Sequence, residues 1–390
     1  MHADNLGDRI RQARQLAGLT QNELSQVSGV SVSLVRKLEQ GTVADTRAAT
    51  ARKLAAALGV PTTALMQSEQ EWKPAVDTGN MWAPAVRAIS APMPPVEEAA
   101  EAAGTADAVR AAIELQRARR YSELAAVLPA VLRDVRLLAA DDPHEGRPLL
   151  AEIMQAVGSA LVQHRQFDAA DRALGIAIDH AADGTQAAAA INTRCWLLLR
   201  RGQLADAEAE AVRWADDTEP RRLSRATPGQ VSAWGWLLLR AAAAAARNAR
   251  PGEAGTALRL AAAAAAVTGR EAPMGRDPLR RAYGPATVAR KRAEDAAIMG
   301  RPDRVLSIAA NIPSTDTTDH RRHLLDVAHA QAELKRPADA METLMGLHAS
   351  SPEWLAQQRY AGDVLTLVIS RRRTLTEDMR ELAGALQLSQ

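Results

Sequence analysis

The sequence predicts an all-α protein in two unequal parts, a head of five short helices followed by a long array of helix pairs. Three observations carry that expectation. Alanine makes up about a fifth of the 390 residues and arginine far outnumbers lysine, a bias that favours helix. No β-branched alternation of any length occurs, so no sheet is expected. From about residue 106 onward, a helix, a short polar turn and a second helix recur. The length is enough for two or more domains.

In the head, Ile10, Ala13 and Ala17 lie at helical spacing on an opening helix that stops near Gly18. Thr20 and Glu23 form a capping box, so the next helix begins at Gln21, with Leu24 and Val27 as its apolar stripe. Ser28-Gly29 breaks it, and Ser31 caps a third helix. There Leu34, Val35 and Leu38 face the core, leaving Val32, Ser33, Arg36 and Lys37 pointing elsewhere. Gly41 ends that helix. Arg47 to Leu58 gives a fourth, stopped by Gly59, and Pro61 to Met66 supplies a last turn with proline in first position. Two capped helices around a glycine turn make a unit whose second helix can enter a DNA groove.

GLTQNELSQVSGVS, VRKLEQG and KLAAALGV resemble the phage-repressor and Cro-type helix-turn-helix family, often called XRE, over residues 4 to 67. The resemblance implies a five-helix, lambda-repressor-like domain over residues 1–67 and a role for each matching position. Val32, Ser33 and Lys37 would face bases, where lysine donates to guanine, serine donates or accepts, and valine packs on a thymine methyl. Gln21 and Gln40 would hold phosphates at the two ends of the unit, with Ser31 beside them at the cap. Arg36 departs from the pattern and is expected on phosphate or on the dyad side. Arg14 and Glu39 resemble the family's internal ion pair, a structural feature. Such domains read two half-sites one DNA turn apart, so double-stranded DNA and a second copy of the chain are the implied partners. Residues 1 to 67 hold eight Lys or Arg against five Asp or Glu, a modest surplus for a head that works in pairs.

Residues 68–105 are proline-containing and read as a linker. Trp72, Met81, Trp82, Val86 and Ile89 are costly to leave exposed, so part of it should dock on a neighbouring domain. From 106 to 390 the recurring turns are RRYSEL, RQFDAA, GQLADA, ARPGEA, GRPDRV and KRPADA, beginning at Arg119, Arg165, Gly202, Ala249, Gly300 and Lys335. Patterns such as Ala170-Leu174-Ala177 place three side chains on one face of the second helix. Pairs of this kind cannot bury their faces alone and stack into a superhelix. The units resemble divergent tetratricopeptide (TPR) repeats, best over residues 151 to 181 with Gly158, Leu161, Phe167, Ala170, Leu174 and Ala177. Glu353 to Ser370 and Thr376 to Leu388 should form a final pair, with Thr374 and Glu377 as a capping box.

In such arrays the first helix of each pair lines a concave groove. The resemblance places Gln155, Ser159, Asn192, Trp196, Trp236, Arg290, Glu294 and His329 there, for a peptide, a small molecule or a protein. Trp196, Trp214, Trp234 and Trp236 can equally be core residues of an alanine-rich interior. XRE heads joined to TPR arrays resemble the peptide-responsive regulators of Gram-positive bacteria and longer actinomycete regulators, and the composition fits a high-GC bacterial genome.

Enzyme chemistry finds no footing. No phosphate loop, dinucleotide fingerprint or serine elbow is present, and no cofactor is implied. His320 and His323 lack further ligands and read as surface residues rather than a metal site. Cys195 reads as a small buried hydrophobe and, alone, fits a reducing cytoplasm. The longest apolar run, Trp234 to Ala246, is interrupted by Arg240, so no membrane span is expected. Arg371 to Arg373 reads as a solvated basic turn. A DNA-binding regulator with a sensing or dimerising array is the first reading; a DNA-tethered docking scaffold without a small ligand is the second.

Overall fold

Thr20 opens the second helix of the head as a capping box: its hydroxyl accepts from the Glu23 amide, and the Glu23 carboxylate accepts from the Thr20 amide. The computed structural model describes residues 6–17, 19–43, 46, 48–60, 62, 65, 79–92, 101–315, 317–370 and 375–386. Four head helices are among them, α1 (Leu6–Leu16), α2 (Gln21–Ser28), α3 (Val32–Glu39) and α4 (Ala48–Leu58). Gly29 ends α2 with φ 66°, the left-handed geometry that the sharp turn needs. Ile10, Leu24, Val35, Leu38, Leu54 and Leu65 close one core. Val27 does not join it: the side chain is 65% exposed, because only Leu24 on the short α2 faces inward. Gly18 and most of the turn at Pro61 to Met66 lie outside the described residues, as do Trp72 and Arg371 to Arg373.

Helix α5 (Gly79–Ser90) lies inside the segment read as a linker. Trp82, Ala85 and Ile89 bury against the array, and Arg136 holds the end of α5 through the carbonyls of Ala88 and Ala91. The array then runs as pairs: α6 (Ala102–Arg117) with α7 (Tyr121–Asp141), α8 (Pro143–Gln163) with α9 (Phe167–Asp179), α10 (Gly184–Arg201) with α11 (Leu204–Thr218), α12 (Pro228–Arg247) with α13 (Pro251–Thr268), α14 (Pro285–Ile298) with α15 (Pro302–Ala309), and α16 (Thr318–Glu333) with α17 (Pro337–Ser350). α18 (Pro352–Ala356), α19 (Arg359–Ile369) and α20 (Glu377–Ala385) finish it. The final pair is thus split at Gln357-Gln358, and its last helix is capped by Thr376, which accepts from Met379; Thr374, expected in a capping box, lies outside the described residues.

Each of the six recurring turns has the same backbone. Arg119, Arg165, Gly202, Ala249, Gly300 and Lys335 all take φ between 60° and 79°. The next residue donates its amide to the carbonyl five positions back, as in Gln166 to Leu161, Arg250 to Ala245 and Arg336 to Gln331. That six-to-one bond closes the first helix and turns the chain into the second. The repeat is therefore a backbone feature carried by residues of different kinds.

One expectation fails. Residues Ala272–Pro273 and Ala282–Tyr283 form a two-residue antiparallel ladder, β1 and β2, where no sheet was expected. Its hairpin lies against the first helices of three pairs. Asp277 accepts from Gln155 on α8, Arg281 donates to Ala189 and Thr193 on α10, and Trp236 on α12 donates to Ala282. Gly235 makes room for it, since a Cβ there would fall about 2.0 Å from the Tyr283 ring. A ladder this short has no alternation to read.

Candidate nucleic-acid interface and interior charge cluster

The exposed face of the helix-turn-helix unit is built on α3. The Ser31 hydroxyl accepts from the Leu34 amide and fixes where the helix starts. Val35 and Leu38 bury beneath, and this periodicity turns Ser33, Arg36 and Lys37 to solvent with Val32 half-buried beside them. Ser31 and Gln40 are exposed at the two ends of the helix.

A buried carboxylate ties α1, α2 and α3 together. Glu39 is 3% exposed. Its oxygens accept from Arg14 Nε at 2.7 Å and Arg14 Nη2 at 3.0 Å, a bidentate pair, and from Gln21 Nε2 at 2.8 Å. Burial alone would push the Glu39 carboxyl up, but the Arg14 and Gln21 hydrogen bonds hold it below the ordinary value. One amide hydrogen of Gln21 is thereby spent inside the head, leaving the other for an outside acceptor.

The head is fastened to the array on another side. Arg52 on α4 donates to the Ile298 carbonyl at 3.1 Å, and the Thr62 hydroxyl to the Arg247 carbonyl at 3.3 Å. These carbonyls close the C-terminal ends of α14 and α12, where a cation is favoured. Burial lowers the Arg52 pKa, with Arg247 adding to the effect.

Inside the array, the expected groove residues are brought together but mostly occupied by the chain itself. Gln155 is buried and donates to Asp277 at 2.8 Å. Asn192 is 0% exposed, its oxygen accepting from Arg240 Nε at 2.6 Å. Trp236 is buried against the hairpin and Trp234 lies in the core, whereas Trp196 and Trp214 are half-buried under arginines. Arg290 is buried and bonds Asp319 at 2.7 Å. Glu294 pairs with Arg247 and with Lys291 at 2.9 Å, and Lys291 reaches Asp319 at 2.8 Å. Burial works against the Glu294 carboxylate, but Lys291 and Arg247 bring its pKa well below the ordinary value. Burial and neighbouring Glu294 raise the Asp326 pKa. His329 stacks near Tyr360 with centroids 5.4 Å apart, and Ser159 is half-buried. Gln155 and Trp236 are thus engaged by the hairpin, Arg290 by an ion network, and the Asn192 oxygen by Arg240.

Sequence reasoning missed Arg240, Lys291, Asp319, Arg322 and the docking residue Arg52. A signal existed for one of them: Arg240 interrupts an apolar run, and a charge there needs a buried partner. His320 and His323 are buried, not on the surface, with ring centroids 6.1 Å apart. Among the described residues no group of three metal-ligating side chains forms. Cys195 is buried, and burial pushes its thiol up to about 12. No helix among the described residues is long and apolar enough to cross a membrane.

The family model for the helix-turn-helix matches residues 10–65. Neither the curated proteins nor the solved structures contain a match to this chain. With the capped α2 and α3, the glycine turn and the exposed face of α3, this match makes residues 10–65 an XRE-type helix-turn-helix DNA-binding domain.

Proposed function

We propose that the protein is a transcription regulator that binds an inverted-repeat operator as a homodimer and senses a peptide or small molecule through its TPR-like array. The observation that carries this reading is the exposed row Ser33, Arg36 and Lys37 on a helix locked by the Arg14–Glu39–Gln21 cluster. Val32, Ser33 and Lys37 read bases, and Gln21, Ser31, Arg36 and Gln40 hold phosphates. The array acts through the seat of the head. Thr62 hangs on the backbone of Arg247, whose side chain holds Glu294 in the interior network. A ligand that favours one arrangement of that network shifts the head between positions of unequal affinity for paired half-sites.

The test is capture and sequencing of genomic fragments by the full-length protein at two salt concentrations. An enriched inverted repeat with half-sites about one turn apart supports the reading. Retention without any motif, lost at the higher salt, leaves non-specific polyanion binding only.

A second reading, a docking scaffold on DNA, is favoured by one feature. Second helices α11 and α13, with α12, form an apolar groove of about 730 Å³ lined by Val212, Leu238, Ala241 and Leu260. Val212 and Leu260 are 43% and 45% exposed there. A monomer in solution at operator-binding concentration, together with an array blind to small molecules, would move the function to this reading.

A further inference from the structure

We propose that the interior of the array holds an oxyanion site, for a ligand's carboxylate or phosphoryl group, built from Arg200 and Arg322 over the Trp196 ring and from Arg240, which lies over the Trp236 ring and bonds Asn192. It rests on the sensing reading above and names the chemistry of the ligand.

Asn192, Trp196 and Arg200 are spaced four apart on α10 and share one face. Arg322, from α16, lies over the Trp196 ring with its guanidinium carbon 4.8 Å from the centroid, and Arg200 lies at 5.8 Å. Arg240, from α12, reaches the same stripe through Asn192. Arg322 also approaches Gln163 Oε1 of α8, at 3.5 Å. Four first helices therefore deliver groups to one place.

The other interior cations are matched. Arg247 has Glu294, Lys291 has Glu294 and Asp319, Arg290 has Asp319, and Arg281 has Asp277. Among the described residues, Arg200, Arg240 and Arg322 have no carboxylate within ion-pair distance. The leftover neutral groups on this stripe point the same way: Asn192 Nδ2 and Gln163 Nε2 are buried donors with no acceptor. A place with surplus donors and surplus positive charge suits a ligand that only accepts, through several oxygens at once. Guanidinium forks bind such groups bidentately. Burial pushes Arg200 down to about 9 and Arg240 down to about 10, and neighbouring arginines add to each; Glu294 acts on Arg240, and Glu294, Asp319 and Asp326 act on Arg322, only from beyond ion-pair distance.

The test follows thermal unfolding of the full-length protein in sodium phosphate and in sodium citrate, each against sodium chloride at matched ionic strength. Wild type is compared with Arg200→Gln and Arg322→Gln. Phosphate and citrate stabilise proteins generally, so the readout is the gain of wild type beyond that of the variants. The expected excess is about 3 °C in at least one of the two salts. An excess in phosphate alone assigns a phosphoryl ligand, and in citrate alone a carboxylate. In chloride the variants should match or exceed the wild-type midpoint, since each removes an unpaired cation. Equal gains in wild type and both variants, or a fall of both variants in chloride, would overturn the site. Operator binding by the same sample separates the two readings. Intact operator binding without the excess removes the oxyanion site alone, and the excess without operator binding removes the regulator alone.

Discussion

Single side chains in this protein are held by burial as much as by bonding, and His164 shows the consequence. It packs edge-on to Tyr121 and near Trp82, and neither ring nitrogen has a partner. Burial pushes its pKa from 6.5 down to about 4. The native state keeps the ring neutral, so its contribution is complete above pH 6.5 and is lost as pH falls toward 4. His323, pushed down to about 4 by burial and by His320, behaves alike. His164→Leu should therefore lose less stability than wild type between pH 7 and pH 5, by about 2 kcal/mol, as measured by urea unfolding. Equal losses would place the acid sensitivity elsewhere. At the same scale, the exposed and the structurally tied polar residues of the head separate cleanly. The Lys37 side chain is exposed and bonds no other described residue, whereas one Gln21 hydrogen already serves Glu39.

Helices and turns were the most legible part of the chain. Capping residues Thr20 and Ser31, and the six polar turns, stand in the sequence because local hydrogen bonds specify them. Long-range features were not legible. The hairpin at 272–283 is held by Gln155, Thr193 and Trp236, residues from three other helices, and no local pattern announces that. For α5 the cost of exposing Trp82 and Ile89 pointed to a docked segment, but not to its helix, which forms against the array. The residues expected in a groove lie on the first helices of their pairs, and what covers them, the hairpin and cations from distant pairs, leaves no local pattern. The turns give the clearest prediction for an element. Ala249 holds φ 60° in the geometry that Gly202 occupies at 79°. Ala249→Gly should stabilise the protein and Gly202→Ala destabilise it, each by about 1 kcal/mol. Thermal or urea midpoints moving in the same direction for both would contradict a shared left-handed turn.

For the molecule as a whole, the stacked pairs bring residues far apart in sequence into one interior. Arg322 on α16 touches both Gln163 on α8 and Trp196 on α10. The head sits at an edge of that interior, on the carbonyls of Ile298 and Arg247. Arg52→Ala removes a charged hydrogen bond of about 1.5–3 kcal/mol from this seat. Hydrogen exchange in α4 should accelerate while α3 and the array interior stay protected. Unchanged exchange in α4 would mean that the head is held elsewhere.

The account depends most on α3 being the reader. The most direct measurement is the base preference of full-length wild type, Lys37→Ala and Gln21→Ala on a library of half-site variants. Lys37→Ala should lose about 1–3 kcal/mol of discrimination at one base position per half-site, and Gln21→Ala should weaken binding alike across all sequences. A uniform loss in both variants, or wild-type preference retained by Lys37→Ala, would contradict it.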